Sequence, residues 1–332
     1  MGGRVSFKQF SLEFDEPTAN WSVPISYTID SDETQIFMLE SEETEISLGT
    51  IPQKILVNQK GSAAYRVLYS LQLMTYIIKG IEVAHDLELR DKFMAPIARA
   101  VFYQDLFHFT KVGKTDYQKL FRLSASLHEE NDPVVWKAAL DGFGWLKMQL
   151  EQTFDSRESD WFSKFIVSKL IGPYLRAKSI TTTSTFVAKQ FSTMISTATC
   201  AYGHEGCLND QLDQFEKWKV EPKFSNILPL CVAIGSGNAF DNVFSTFNST
   251  SDFLLAAQLA EALTCTKELD RMKELLLRAV SPNQPVYPYF SKIILKFSRQ
   301  KYGHLLGKLQ NKKLQNSDLT IYGCKFQLSN IL

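Results

Sequence analysis

The residues best able to do chemistry in this sequence are two cysteines that bracket a histidine: Cys200, His204 and Cys207. Two thiolates and an imidazole are three of the four ligands of a structural zinc site. No other Cys or His nearby has the spacing expected of a fourth ligand. These residues alone leave two interpretations open: a zinc site that lacks one ligand, and the buried, reduced thiols that are usual in a cytosolic protein.

Catalytic zinc chemistry has no motif in the sequence. Metallopeptidases of the His-Glu-x-x-His type place two imidazoles on one metal from successive helical turns, with the glutamate as general base. The nearest approach, His128-Glu129-Glu130, continues with Asn131 and Asp132. There is also no Gly-rich phosphate loop, no Gly-x-Ser-x-Gly elbow and no Cys/His pair of recognisable spacing. We therefore expect no metal or cofactor in this chain and no peptide hydrolysis by it alone, and unrelated enzyme chemistry has no visible nucleophile and base.

Composition predicts a folded protein and argues against two classes of partner. Hydrophobic residues make up 45% of the 332 residues, which is enough to fill a sizeable core. Lys plus Arg and Asp plus Glu total 36 each, so no net charge attracts nucleic acid. No run of eighteen apolar residues could cross a membrane, and the N-terminus lacks the charged-then-apolar pattern of a signal peptide. If the chain is complete, we expect it to be cytoplasmic.

Amphipathic helices in antiparallel pairs are predicted over residues 90–280, around which the chain is organised. Apolar residues recur there at three- and four-residue spacing, as in Met94, Ile97, Ala98, Val101, Phe102, Leu106 and Phe109. Gly113 is predicted to end this helix and Thr115 to cap the next one. Asp132 is predicted to cap a third helix, with Pro133 in its first position. Later helices are predicted over residues 160–177, 186–200, 252–263, 267–280 and 287–297.

Residues 1–70 differ in composition and predict a small antiparallel β-sandwich. Short β-branched and aromatic stretches alternate there with Asp, Glu, Pro and Gly. The predicted strands are residues 5–14, 22–29, 35–39, 54–58 and 64–69. We therefore expect a mostly α chain of two domains, a β-sandwich over residues 1–70 and a HEAT/armadillo-like α-superhelix over residues 71–332.

Four short motifs follow one another along the chain. Trp21 and Pro24 belong to Trp-Ser-Val-Pro-Ile-Ser-Tyr, and Asn58 precedes a Tyr-Arg-Val-Leu-Tyr stretch. Tyr65 and Arg66 begin that stretch. The third motif contains Arg99, Asp105 and Phe107, and the fourth contains Pro133 and Trp136. In this order and at these separations the motifs resemble the C-terminal region of zinc aminopeptidases of the gluzincin family, the aminopeptidase N type.

Two of these motif residues also have ordinary structural interpretations. A carboxylate on an apolar helix face, such as Asp105, is more often a buried hydrogen-bond partner than a catalytic acid. We expect Arg99 to be its partner. Trp136 is expected to be a core aromatic residue rather than a stacking platform.

The resemblance gives the cysteines a third interpretation. In the aminopeptidase N type, a Cys-(six)-Cys turn forms one disulfide, and one Cys from each of two later helices forms a second. Cys200 and Cys207 match the turn, and Cys231 and Cys265 match the later pair. Disulfides require an oxidising compartment, which implies an extracellular or membrane-attached ectodomain. Since no signal peptide is seen, we expect the chain to be a fragment or to descend from one. Two asparagines in sequons are glycosylation candidates, in keeping with a secretory ancestor: Asn20 and Asn248.

The resemblance also implies a role. In the family, the curved helical array closes over the catalytic domain and accommodates the peptide. This chain is therefore expected to be that non-catalytic portion, with zinc belonging to the missing catalytic domain. Its expected partners are peptides or a catalytic aminopeptidase domain. The alternative is a stand-alone HEAT-like interaction scaffold derived from such an enzyme. A complete transcript that starts at Met1 would favour this scaffold, whereas an upstream His-Glu-x-x-His in frame would favour the fragment.

Overall fold

A computed structural model describes residues 3–10, 21–30, 33–48, 52, 54–84, 86–153, 156–180, 184–237 and 239–279. The chain divides into two compact units, Met1–Cys207 and Leu208–Leu332. Helices dominate the described residues and strands occur only between Gly3 and Val57, which confirms a mostly α fold with a small β part. The predicted domain boundary at residue 70 and the HEAT/armadillo-like superhelix stay predictions. Asn20 and the predicted helix over residues 287–297 lie outside the described residues.

Two small antiparallel sheets form the β part of the first unit. The strands are β1 (Gly3–Lys8), β2 (Val23–Ile29), β3 (Gln35–Leu39), β4 (Glu43–Leu48) and β5 (Ile55–Val57). β1 pairs with β4, and β2 is the central strand between β3 and β5. The ring of Phe7 on β1 contacts the rings of Tyr27 and Phe37 in the other sheet, with centroids 5.7 Å and 5.0 Å away. These aromatic contacts pack the two sheets face to face.

Eight α-helices begin among the described residues of the first unit, and a short 3₁₀-helix (Ser124–Glu129) lies among them. They are α1 (Leu71–Val83), α2 (Leu87–Phe93), α3 (Pro96–Lys111), α4 (Tyr117–Leu123), α5 (Pro133–Thr153), α6 (Ser156–Lys178), α7 (Phe186–Ala201) and α8 (Glu205–Val220). α3 packs against α5, and α6 packs against α7. No helix formed by the described residues is long and apolar enough to span a bilayer.

The helix-boundary predictions are right at two positions and wrong at one. Gly113 follows α3 with a φ of 72°, and the Asp132 carboxylate accepts a hydrogen bond from the Val134 N–H (2.8 Å) where α5 starts. The cap of α4 is Asp116, whose carboxylate accepts from the Lys119 N–H at 3.1 Å. The prediction of Thr115 was therefore wrong, because the carboxylate one residue later is a better acceptor for the free N–H groups.

Two glycines on α5 give a test of the packing between α3 and α5. A Cβ at Gly142 would lie 2.4 Å from the ring of Phe107, which is buried against Phe143 and cannot move aside. Gly142→Ala is therefore expected to destabilise the protein by about 1–3 kcal/mol despite the better helix propensity of alanine. Gly144 has no atom within 4 Å of the same position, so Gly144→Ala is expected to stabilise by about 1 kcal/mol. Urea unfolding of the two variants measures both values, and changes of equal sign would contradict the packing.

As far as residue 279, the second unit contains most of α8 and four further helices. These are α9 (Leu228–Gly235), α10 (Phe240–Ser249), α11 (Phe253–Leu263) and α12 (Leu269–Ala279). They enclose an apolar core that includes Phe215, Trp218, Leu230, Ile234, Phe240, Val243, Leu259 and Leu263. Asp252 caps α11 by accepting from the Leu254 N–H at 2.8 Å. The predicted helices over residues 252–263 and 267–280 correspond to α11 and α12.

Candidate functional site

One group of motif residues joins the sandwich to α3, and we call it the junction cluster: Asn58, Tyr65, Arg66, Tyr69 and Asp105. Asp105 is buried on α3 and accepts hydrogen bonds from the Val67 N–H (2.9 Å) and from Arg66 Nη1 (3.1 Å). Burial raises the pKa of the Asp105 carboxyl, and these two donors oppose that rise. The prediction that Asp105 pairs with Arg99 was therefore wrong.

The segment before α1 is part of the junction cluster and is not a strand. The predicted strand over residues 64–69 forms no β-ladder. Instead, the Tyr65 hydroxyl accepts from the Ser26 N–H at 3.3 Å, and the Tyr69 hydroxyl accepts from the Val57 N–H at 2.9 Å. Because tyrosine hydroxyls bond to the backbone of β2 and β5, this segment fastens the central sheet without extending it.

Asn58 closes the turn that leads into this segment. It is buried and has a φ of 52°, a conformation that asparagine adopts more readily than most residues. Its side chain exchanges two hydrogen bonds with the backbone of Ala63, at 3.1 Å and 3.2 Å. These contacts fix the turn between β5 and the segment that follows, so Asn58 has a structural role.

The Asp105 contacts lead to a stability prediction for the junction cluster. Asp105→Ala leaves the Val67 N–H without its charged acceptor, and we expect a loss of about 2 kcal/mol in the free energy of unfolding. Arg66→Ala is the matched control, since this side chain is 44% exposed and the expected loss is below about 1 kcal/mol. Urea titration of both variants measures the difference, and a larger loss for Arg66→Ala would contradict this ranking.

The second group of motif residues forms a buried ion-pair network around Arg99. Its Nε and Nη2 donate to the two carboxylate oxygens of Glu130 at 3.0 Å and 3.1 Å. Its Nη1 donates to Asp91 (2.7 Å) and to the Met94 carbonyl (2.6 Å). The Glu130 carbonyl accepts from Nε1 of Trp136 at 2.9 Å. Because every polar group of Arg99 has a protein partner, this network holds structure and leaves no group to bind a substrate.

The Arg99 network also fixes the start of α5. Glu130 Oε1 accepts from the backbone N–H groups of Asn131 (3.1 Å) and Asp132 (3.0 Å), just before Pro133 begins the helix. Trp136, one turn later, is fully buried. Glu130 therefore ties the first turn of α5 to α3, a role that the sequence motif alone did not show.

The remaining motif residues have structural positions. Phe107 is buried, and its ring lies edge-on to that of Phe143 with centroids 5.4 Å apart. Pro24 is on β2 opposite Met38, and both are exposed on the outer face of the sheet. The backbone of Trp21 exchanges hydrogen bonds with the Gln9 side chain at 3.1 Å and 3.3 Å while its ring is exposed.

The cysteines of the Cys-(six)-Cys turn form a disulfide. The sulfurs of Cys200 and Cys207 are bonded at 2.05 Å, and the turn between them passes through Gly203 with a φ of 87°. His204 Nδ1 accepts a hydrogen bond from the Cys207 N–H at 3.1 Å. Because both sulfurs are consumed by the bond, the zinc and reduced-thiol interpretations of this turn are wrong.

Cys231 and Cys265 form the other disulfide, with sulfurs 2.11 Å apart. Cys231 lies within α9, whereas Cys265 follows the end of α11, so only one of the two is helical as expected. Both pairings implied by the resemblance are thus present in the structure. Within the described ranges, no group of three or more His, Cys, Asp or Glu side chains could hold a metal ion.

Two open pockets in the first unit were not predicted from the sequence. The first, of about 750 Å³, lies between the N-terminal halves of α5 and α7 beside α3, and we call it the α5–α7 pocket. Its lining combines apolar side chains, amides and two lysines: Gln104, Pro133, Val134, Lys137, Phe186, Lys189, Gln190, Thr193 and Met194. The second, of about 730 Å³, has walls from α4, α5 and α6, with aromatic residues that include Tyr117, Phe121, Trp161 and Phe162.

Charge distinguishes the α5–α7 pocket from an ordinary apolar groove. None of its lining residues is acidic. Lys137 pairs with Asp141 one turn along α5, whereas Lys189 forms no ion pair with any described residue. The Phe186 side chain at the rim is 74% exposed, so its apolar ring is available to contact a ligand. The pocket can therefore accept a ligand that combines apolar and anionic groups.

Residues 54–306 match the family model of the ERAP1-like C-terminal domain, which is more than half of the chain. The chain therefore belongs to this family of C-terminal domains. A membrane alanyl aminopeptidase from Heliothis virescens is 23% identical over 290 residues, which cover 81% of this chain and 27% of that protein. An aminopeptidase N from Plutella xylostella is 21% identical over 288 residues, which cover 82% of this chain and 30% of that protein.

These matches confirm the resemblance that the motifs predicted: the chain is similar to the C-terminal region of aminopeptidase N-like enzymes. It spans less than a third of the length of these two curated relatives.

Proposed function

We propose that this chain acts as the non-catalytic C-terminal portion of an aminopeptidase N-like zinc metallopeptidase, where it closes over the active site and accommodates the peptide substrate. The observation that carries the proposal is the match of residues 54–306 to a C-terminal domain family of aminopeptidase-like enzymes. The sequence adds that His-Glu-x-x-His does not occur in its 332 residues. Zinc would be held by the catalytic part, since the described residues hold no suitable cluster and the four paired cysteines are in disulfides.

The α5–α7 pocket supports the peptide-accommodating part of the proposal. Peptides need apolar contacts for side chains and amide or hydroxyl partners for the backbone, and Val134, Gln104 and Gln190 can supply them. Lys189 adds a positive charge for an acidic side chain or a terminal carboxylate. The Arg99 network fixes the start of α5, so one wall of the pocket is held rigidly before a ligand arrives.

The outer face of the sandwich supports docking to a catalytic aminopeptidase domain. Ile36 and Met38 on the edge strand β3 are 69% and 48% exposed, and Pro24 lies beside them on β2. A row of exposed apolar side chains on a sheet is typical of a surface that another domain covers. Such a domain would also protect the free edge of β3.

Hydrolysis by the purified chain tests the non-catalytic part of the proposal. We expect no release of amine from an alanine or leucine aryl amide, with or without added zinc, because no zinc-binding motif is present. Turnover that a chelator abolishes would contradict this expectation. The assay is run beside an active aminopeptidase N in the same buffer as a positive control.

Binding of fluorescent peptides tests the pocket. We expect an acidic, apolar peptide to bind about tenfold more weakly to Lys189→Glu than to the unchanged chain, since reversing this charge replaces attraction with repulsion. Lys79→Glu, on an exposed lysine of α1 outside the lining, is the matched control and should bind normally. If the unchanged chain binds no peptide, the peptide-accommodating role fails and the interaction scaffold replaces it.

A further inference from the structure

A second candidate site, for covalent modification, is on α10 in the second unit. Asn248 is in the last turn of α10, and its side chain is exposed. Ser249 and Thr250 follow it, so the sequence Asn-Ser-Thr is a sequon without proline. We propose that Asn248 carries an N-linked oligosaccharide.

The geometry of α10 suits a large substituent at this position. Phe240, Val243 and Phe247 are the buried face of the helix, and they point into the core of the second unit. Asn248 is rotated by about 100° from Phe247 around the helix axis, which directs it away from that core. The helix ends at Ser249, and Thr250 already has extended backbone with a ψ of 137°. No further turn of α10 therefore follows that would crowd the first sugar.

The disulfide in the same unit is an independent observation. The Cys231–Cys265 bond forms and persists in an oxidising compartment such as the lumen of the endoplasmic reticulum. Asparagine sequons are glycosylated on proteins of the same secretory route. The second unit therefore contains both features: a disulfide that needs this compartment and an exposed sequon that is modified there.

The modification is a group transfer from a lipid-linked oligosaccharyl diphosphate, catalysed by the transferase of the cell. A bond forms between the amide nitrogen of Asn248 and C1 of the first sugar. The bond between that C1 and the diphosphate oxygen breaks, and the lipid diphosphate leaves with the electron pair. The amide gives up one proton, and no oxidant or reductant takes part.

An oligosaccharide at Asn248 would also limit where partners dock. It would stand at the turn between α10 and α11, next to the exposed start of α11 at Phe253 and Leu254. A glycan is bulky and hydrated, so a partner protein could not pack against this turn. Docking on the second unit is then confined to its other faces.

The experiment expresses the full chain behind a cleavable signal peptide in insect cells and collects only secreted or protease-protected lumenal material. Every molecule assayed has then met the transferase. Digestion with peptide-N-glycosidase should increase the gel mobility of the unchanged chain. In both Asn248→Gln and Thr250→Ala this mobility shift should be smaller by the mass of one glycan. Thr250→Ser, which keeps the sequon, should retain the full shift.

Two controls separate Asn248 from other causes of a shift. Asn242→Gln changes an exposed asparagine of the same helix outside a sequon and should leave the glycan in place. Asn20→Gln removes the other sequon, and any change that it makes in the mobility shift should be independent of the change caused by Asn248→Gln. A chain with no glycan, or with a mobility shift that Asn248→Gln leaves unchanged, would overturn the proposal.

Discussion

Replacing Glu130 by alanine is expected to lower the free energy of unfolding by about 3–5 kcal/mol, as happens when one partner of a buried ion pair is removed. The side chains of Arg99 and Glu130 are 1% and 3% exposed. After the substitution, the Arg99 guanidinium would stay buried with Asp91 as its charged partner. Because the Asp91 side chain is 49% exposed, it compensates the buried charge less well than Glu130 does. Urea unfolding followed by circular dichroism measures the loss.

An exposed ion pair in the same unit provides the control. Arg122 and Glu82 also form a pair in which the guanidinium bonds to both carboxylate oxygens, but their side chains are 49% and 22% exposed. Glu82→Ala is therefore expected to cost at most about 1 kcal/mol. Equal losses for Glu82→Ala and Glu130→Ala would show that burial does not set the strength of the Arg99 network.

A double substitution separates the ion pair from the rest of the network. Arg99→Met and Glu130→Met should each be strongly destabilising, because each leaves one charge or several N–H groups buried without a partner. The combined variant should lose less than the sum, since no unpaired charge remains inside. An additive loss would mean that the two side chains do not act as a pair.

The partner of Arg99 shows what a sequence pattern can and cannot decide. The motif placed Arg99 and Asp105 on one helix, and both are buried there. At 3.6 residues per turn, positions six apart are separated by about 120° around the helix axis, so the two side chains point to different neighbours. Glu130, which follows the 3₁₀-helix, reaches Arg99 only through the tertiary fold. Helix geometry could have excluded the wrong pair, but not identified the right one.

The same limit explains the elements that the residue pattern by itself did not predict. α9 (Leu228–Gly235) is apolar throughout, so it has no periodicity that separates a helix from a strand. β4 (Glu43–Leu48) alternates exposed polar residues with half-buried ones and has acidic residues at two of its six positions. These two glutamates contact β1, as Glu45 does through Arg4. Tyr65 and Tyr69 have strand-like composition but bond through their hydroxyls. Strong periodicity, in contrast, predicted α3, α7 and α11 to within a few residues, and the capping signal predicted the start of α5.

Loss of the Cys231–Cys265 disulfide is the second large effect, expected at about 3.8 kcal/mol from the chain entropy of its loop. Its cysteines are 34 residues apart, whereas Cys200 and Cys207 are separated by seven. The shorter loop restricts the unfolded chain less, and removing its bond should cost about 2.5 kcal/mol. Paired Cys→Ser variants of each bond, compared by thermal and urea unfolding, give the two losses.

Accessibility sharpens this prediction into an order of reduction. Cys200 and Cys207 are 6% and 0% exposed, whereas Cys231 and Cys265 are partly exposed. A mild reductant should therefore cleave the bond of the second unit first, which is also the bond with the larger effect on stability. Trapping of free thiols followed by peptide mass mapping reads out the order. If Cys200–Cys207 opens first, burial does not set the order of reduction. If the two paired variants lose equal stability, loop length does not set the contribution of each bond.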